Sequence, residues 1–175
     1  MQALLELLGF TTATGVAWNL AAYVAFIVII IGISSDRHRN TLTAIGAIVL
    51  GVYAWIFLHN PLFAALQALV VISICFQWAK LSPRNTVVTF LSLTALAYFL
   101  LAKNGAIADA WSLAGSFGLL GIAIGLIILP KKPGFLILAA GGVLLVVYGY
   151  HASAWVFFLL NAVYFVESMR NWLKK

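Results

Sequence analysis

Apolar residues run along this chain in seven blocks, Val16–Ile33, Thr41–Leu58, Leu62–Ala79, Thr86–Ala102, Ala108–Leu129, Phe135–Tyr150 and Ser153–Met169. Short clusters of charge, proline and turn formers separate them: Asp36–Asn40, His59–Pro61, Ser82–Asn85, Lys103–Ala106, Pro130–Pro133 and His151–Ala152. Within each block the apolar residues are continuous rather than alternating, which predicts helices and not barrel strands. The blocks are 16–22 residues long, and a helix rising about 1.5 Å per residue needs roughly 20 to cross the hydrocarbon of a bilayer. The sixth block is the shortest, and its length calls for a thinned bilayer or an end shielded by neighbours. Met1–Phe10 carries Glu6 and no basic region, so it reads as an interfacial lead-in rather than a cleavable signal.

Composition turns these blocks into membrane spans. The chain is 65% hydrophobic and 8% charged, where soluble domains run at about 45–50% and about 25%. A mean hydropathy of +1.11 exceeds what a buried core of this size absorbs. Most soluble enzyme folds, nucleic-acid binders and secreted disulfide scaffolds are thereby excluded, and the lone Cys75 sits inside an apolar block. The pI near 9.7 is topogenic charge. Arg37, Arg39, Lys80, Arg84, Lys131, Lys132, Arg170, Lys174 and Lys175 fall after odd-numbered blocks or at the C-terminus, and only Lys103 falls on the other face. The positive-inside rule then puts the N-terminus outside and the C-terminus in the cytoplasm, as in a protein of the bacterial inner (plasma) membrane.

The blocks repeat. Ala17-Trp18-Asn19-Leu20-Ala21 matches Ala110-Trp111-Ser112-Leu113-Ala114 at an offset of 93. Gly46–Tyr53 matches Gly141–Tyr148 at 95, and Leu66-Gln67-Ala68-Leu69 matches Leu160-Asn161-Ala162-Val163 at 94, the changes reading as small loop indels. Helices 1–3 therefore repeat as helices 5–7 with helix 4 between them, and equivalent helices point the same way. The predicted fold is an all-α integral membrane protein, seven transmembrane helices in a 3+1+3 parallel tandem repeat. Its parts are the lead-in 1–15, a first three-helix bundle 16–81, a linker helix 82–107 and a second bundle with the basic C-terminus 108–175.

Seven helices in this order, in so small a chain, resemble the clan of PQ-loop proteins, which contains the SWEET and SemiSWEET sugar transporters and the PnuC vitamin transporters. Gly46–Trp78, with Tyr53, Asn60-Pro61-Leu62-Phe63 and Gln67-Ala68-Leu69, is similar to the N-terminal domain of lipid A biosynthesis proteins in the same clan. Gly142–Trp172, with Tyr148-Gly149 followed by Asn161, resembles helices 2 and 3 of SemiSWEET.

Gln67 and Asn161 are the leading substrate-binding candidates. Tyr53 and Gln67 flank the turn at His59–Pro61 about equally, so they should lie at one depth, roughly 10 Å in by helical rise, and Tyr148 and Asn161 form the equivalent pair. An amide in hydrocarbon costs several kcal/mol unless bonded, so it should face the bundle or a wet cavity. Amides and phenols bind a hydroxyl, carbonyl or amide without fixed charge. The resemblance implies the same role for the two amides, and the competing reading is interhelical hydrogen bonding. Trp18, Asn19 and Trp111 open helices 1 and 5, as gate residues or as aromatic belt. Glu167 lies three residues before Arg170, a pairing distance. Gly115, Gly118, Gly121 and Gly125 form a small-residue face for close packing within the protein or in a homo-oligomer.

These features predict a small transporter or facilitator that moves a neutral polar molecule by alternating access between two three-helix bundles. A flippase or binder of a lipid-linked intermediate is the first alternative, with Arg37, Arg39, Lys131 and Lys132 holding phosphates. A non-transporting subunit of a membrane complex is the second. No span carries a nucleophile–base pair, an acid dyad or a metal-ligand pattern, so neither an enzyme nor a cofactor is expected. The partners are membrane lipids and a small or lipid-linked substrate, with no nucleic acid.

Overall fold

The computed structural model describes residues 12–34, 38–80, 83–128 and 131–174. The proposed lead-in Met1–Phe10, Arg37 and Lys175 lie outside the described residues, as do the side chains of Arg39 and Arg84. Among the described residues all regular structure is helical: α1 Ala13–Ser34, α2 Arg39–Val52 continued by a π-helical turn Tyr53–Phe57, α3 Pro61–Trp78, α4 Pro83–Lys103, α5 Ala110–Ile128, α6 Lys132–His151 and α7 Trp155–Lys174. Five of these, α1, α2 with its π turn, α3, α4 and α6, contain segments long and apolar enough to cross a membrane. α5 contributes a shorter apolar stretch, Ala110–Gly125. α7 has 20 residues but carries Glu167, Arg170 and Lys174.

Helix ends depart from the apolar blocks for local reasons. α1 starts at Ala13, inside the range expected to be lead-in, because the Thr12 hydroxyl accepts from Gly15 N–H at 3.0 Å and caps the first turn. α6 starts at Lys132, before Phe135, with Pro133 in its first turn. Proline there begins a helix rather than ending one, since its missing N–H falls among donors that have no partner in the helix anyway. At 20 residues α6 is of spanning length, and no thinned bilayer is required. α7 continues to Lys174, beyond the expected Met169.

The chain divides into two compact units, one ending at Val71 and one beginning at Ile72, within α3. In the first unit α1 packs along α2; in the second, α6 packs against both α5 and α7. The seam of each unit is made by small residues. A Cβ built on Gly46 would lie 2.8 Å from Ala25 O and 2.5 Å from Ile29 Cγ1. A Cβ on Gly141 would lie 2.8 Å from both Gly118 O and Ile122 N. Shifted by 93, Ala25 and Ile29 become Gly118 and Ile122, so each unit makes the corresponding contact at its crossing point. Gly32 against Thr43 and Gly125 against Leu138 form a further matching pair. The Thr43 hydroxyl is buried with no hydrogen-bond partner among the described residues, where the second unit has a leucine.

The glycine face of α5 is thus occupied by α6: Gly115 meets Tyr148, Gly118 meets Leu145, and Gly125 meets Leu138. Outward faces remain apolar, with Leu20, Val24, Ile27 and Ile31 exposed on α1, and Val88, Leu96 and Phe99 on α4, the last 62% exposed. Surface of this character needs lipid as its solvent.

Gly141→Ala is expected to force α5 and α6 apart, because the atoms it meets are backbone, at a cost of roughly 1–3 kcal/mol. Ala140→Leu, on the exposed side of the same helix, is expected to change little. Thermal unfolding of the purified protein in detergent checks both.

Candidate functional site

Each unit carries its share of the predicted residues, and the two shares are built on one plan. In the first, Trp18 on α1 stacks on Phe57 at the end of the π turn, with ring centroids 6.5 Å apart. In the second, Trp111 on α5 stacks on His151 at the end of α6, at 4.7 Å. Phe57 and His151 are equivalents at an offset of 94. Both tryptophans therefore brace the end of the following helix.

In the first unit the structure joins residues that sequence reasoning kept apart. Tyr53 Oη donates to Asn19 Oδ1 at 2.6 Å, and Asn19 Nδ2 donates to Gly15 O at 2.9 Å. Tyr53 also stacks on Phe57 at 5.4 Å, so Trp18, Asn19, Tyr53 and Phe57 form one cluster. Asn19, expected as a gate residue, is the direct partner of a substrate-binding candidate. Gln67 on α3 is 2% exposed. It comes up against Gly51, whose Cβ would stand 3.4 Å from its own. Gly51 precedes Tyr53 by two residues, which sets the Gln67 Cβ about 3 Å along the helix axis from the level of the Tyr53 backbone.

In the second unit Asn161 is 1% exposed, and its Nδ2 donates to Phe157 O, one turn back on its own helix, at 2.8 Å. Tyr148 lies over Gly115, whose Cβ would be 2.7 Å from the ring. Ser112, the equivalent of Asn19, is engaged elsewhere. Its N–H and hydroxyl both donate to Asp109 Oδ1 at 2.7 Å, and its Oγ accepts from Asp109 N–H at 3.0 Å. This is a reciprocal cap on the start of α5. Asp109 falls in the fifth apolar block but stands before α5 and outside its apolar stretch Ala110–Gly125, and hydrogen bonds to its carboxylate, first from the Ser112 N–H, hold its pKa below the ordinary 3.8.

The two shares differ because the stretch from the tyrosine to the left-handed turn is one residue longer after Tyr53 than after Tyr148. Tyr53 precedes His59 by six positions, and Tyr148 precedes Ser153 by five. His59 and Ser153 are the matching left-handed turn residues, at φ 50° and 53°. Leu58 N–H reaches back five residues to Tyr53 O at 3.1 Å, whereas Ala152 N–H reaches back four to Tyr148 O at 2.8 Å. The step in repeat offset from 95 to 94, read from sequence as a loop indel, thus lies inside α2. It is absorbed as the π turn Tyr53–Phe57. Single-residue π insertions of this kind are frequent at functional sites.

Among the described residues there is no cluster of three or more His, Cys, Asp or Glu side chains that could hold a metal ion. Glu167 and Arg170 pair with each other at 3.3 Å on the surface of α7. What the first unit offers is a hydrogen-bonded phenol–amide pair and a buried carboxamide within apolar helices, chemistry suited to neutral hydrogen-bonding groups. Neither a family model, nor a curated protein, nor a solved structure matches this chain.

Two expectations follow. Deleting Ile56 returns α2 to the spacing of α6, so the protein is expected to fold with only a small drop in unfolding temperature. Deleting Tyr150 from α6, which has no spare residue, is expected to abolish the folded state; thermal unfolding in detergent compares the two. Asp109 contributes stability that is full above the ordinary carboxylate pKa and is lost as pH falls through its lowered folded value. Asp109→Asn retains a capping side chain but is expected to remove this acid-dependent component, read as a flatter unfolding temperature below about pH 4.

Proposed function

We propose that this protein is a small membrane facilitator for a neutral polar solute. In this reading the chain crosses the membrane seven times as a parallel 3+1+3 repeat of the PQ-loop, SWEET and PnuC kind, with its N-terminus outside. The two three-helix bundles would work by alternating access, with Tyr53 and Gln67 as the substrate-binding residues of the first and Tyr148 and Asn161 as those of the second. The observation that carries the reading is a buried carboxamide at the same repeat position in both units, Gln67 and Asn161, on helices otherwise apolar at that level. The Asn19–Tyr53 pair supports a solute recognised through hydroxyl, carbonyl or amide groups. Glu167, the acid within the last apolar block, is paired at the surface with Arg170, which favours facilitated diffusion over proton coupling.

A second reading, a non-transporting subunit of a membrane complex, draws on one specific contact. Asn161 Nδ2 is engaged by Phe157 O, which gives that amide a packing role within its own helix.

Uptake into proteoliposomes separates the two. A pool of labelled neutral solutes (sugars, nucleosides and uncharged vitamins) would be presented, and uptake measured for the wild type and for Gln67→Ala with Asn161→Ala. The facilitator reading expects entry of at least one solute with the wild type. It also expects entry to fall roughly 10-fold or more in the double variant, the effect of losing two hydrogen bonds of about 1 kcal/mol or more each, with the variant still folded. Wild-type uptake in the double variant overturns the site, and no uptake of any solute by the wild type favours the subunit reading.

A further inference from the structure

We propose that the end of the second unit where α6 begins and α7 finishes binds the headgroup of an anionic phospholipid. Lys131 and Lys132 stand at the start of α6, and Arg170 and Lys174 in the last turns of the antiparallel α7. The two helix ends are tied together: Lys132 Nζ sits 5.3 Å from the centroid of the Trp172 ring. An indole face fixes an ammonium in place without neutralising it, so this lysine keeps its full charge for a third party. Arg170 is answered by Glu167 at 3.3 Å. Lys131, Lys132 and Lys174 have no acidic partner among the described residues.

Chemistry next to the cations selects a lipid over a free anion. Leu136 lies one turn into α6 from Lys132, and Val166 and Leu173 are placed seven residues apart on α7; all are exposed, Leu173 to 71%. A ligand that meets this surface needs a negative phosphate beside the lysines and hydrocarbon beside the leucines and valine. An anionic diacyl phospholipid has both, and basic clusters at the ends of membrane helices hold such headgroups in this way. Charge that served only to orient the chain during insertion would need a count of cations, not a lysine held on a ring contributed by another helix. The proposal rests on the membrane reading of the helices and is independent of transport.

The experiment uses the full chain purified in a neutral detergent. Its thermal unfolding is followed during titration with phosphatidylglycerol, phosphatidylcholine or inorganic phosphate, and retained lipids are counted by native mass spectrometry. Phosphatidylglycerol is expected to raise the unfolding temperature and to remain bound, whereas phosphatidylcholine and phosphate do neither. Lys131→Gln with Lys132→Gln is expected to weaken phosphatidylglycerol binding roughly 10-fold, and Lys131→Arg with Lys132→Arg to preserve it. An unchanged phosphatidylglycerol response in the glutamine variant overturns the proposal. So does an equal response to inorganic phosphate, which makes the surface a simple anion site. A glutamine variant destabilised to the same degree with and without lipid also overturns it, because the lysines then serve only the C-terminal end of the α7 dipole.

Discussion

Backbone amides and carbonyls inside hydrocarbon have no water to turn to, so each helix must satisfy its own. Once that is done, little drives one apolar helix toward another except close packing, since lipid tails are as apolar as leucine. The architecture of both units follows from this constraint. Ala25–Gly46 and Gly118–Gly141 bring backbones to distances where no side chain fits, and the larger residues interlock around those points. Leu50 and Leu145, at equivalent positions on α2 and α6, are both fully buried beside the crossings. The polar candidates are held on a frame whose geometry is set by where a Cβ is absent.

On that shared frame one added residue makes the units chemically different. In α6 the chain passes from Tyr148 to its left-handed turn as a regular helix, and the tyrosine leans on Gly115. In α2 the extra residue widens one turn into a π segment, and Tyr53 hydrogen-bonds to Asn19. The partner types diverge in the same sense, since Ser112 is taken up by its cap with Asp109 while Asn19 remains to receive the phenol. The first unit thus carries a phenol–amide bond, and the second an amide turned to its own backbone.

Much of this was legible in the chain. Continuous apolar blocks and tight polar breaks located the helices, because hydrocarbon length and backbone satisfaction admit few alternatives. The 93-to-95 offsets relate positions that make similar contacts within each unit, as Ala25 to Gly46 and Gly118 to Gly141 do. What escaped had physical causes. Pro133 was read as a breaker because only its position within a helix, first turn or interior, decides which it is. The extra residue of α2 was placed in a loop, since a π turn has the same apolar composition as the α-helix around it; the cue was the change of offset between Tyr53 and His59. Stacking of Trp18 on Phe57 and Trp111 on His151 was hidden because the two partners share a flat ring and not a residue type.

The weight to place on Gln67 and Asn161 turns on what burial does to an amide. A hydrogen bond to the carbonyl one turn back lowers the cost of burying Asn161, and taken alone it makes that residue a self-contained part of α7. The same answer does not carry over to Gln67, whose chain is one methylene longer and whose helix meets a glycine, Gly51, at that level. Packing alone would be served at either place by leucine, which costs nothing to desolvate and is the commonest residue of these spans. Two amides of different length, with different surroundings and the same repeat position, share only their hydrogen-bonding capacity. That capacity is what the proposed solute site would draw on, and filling space alone calls for an amide at neither position.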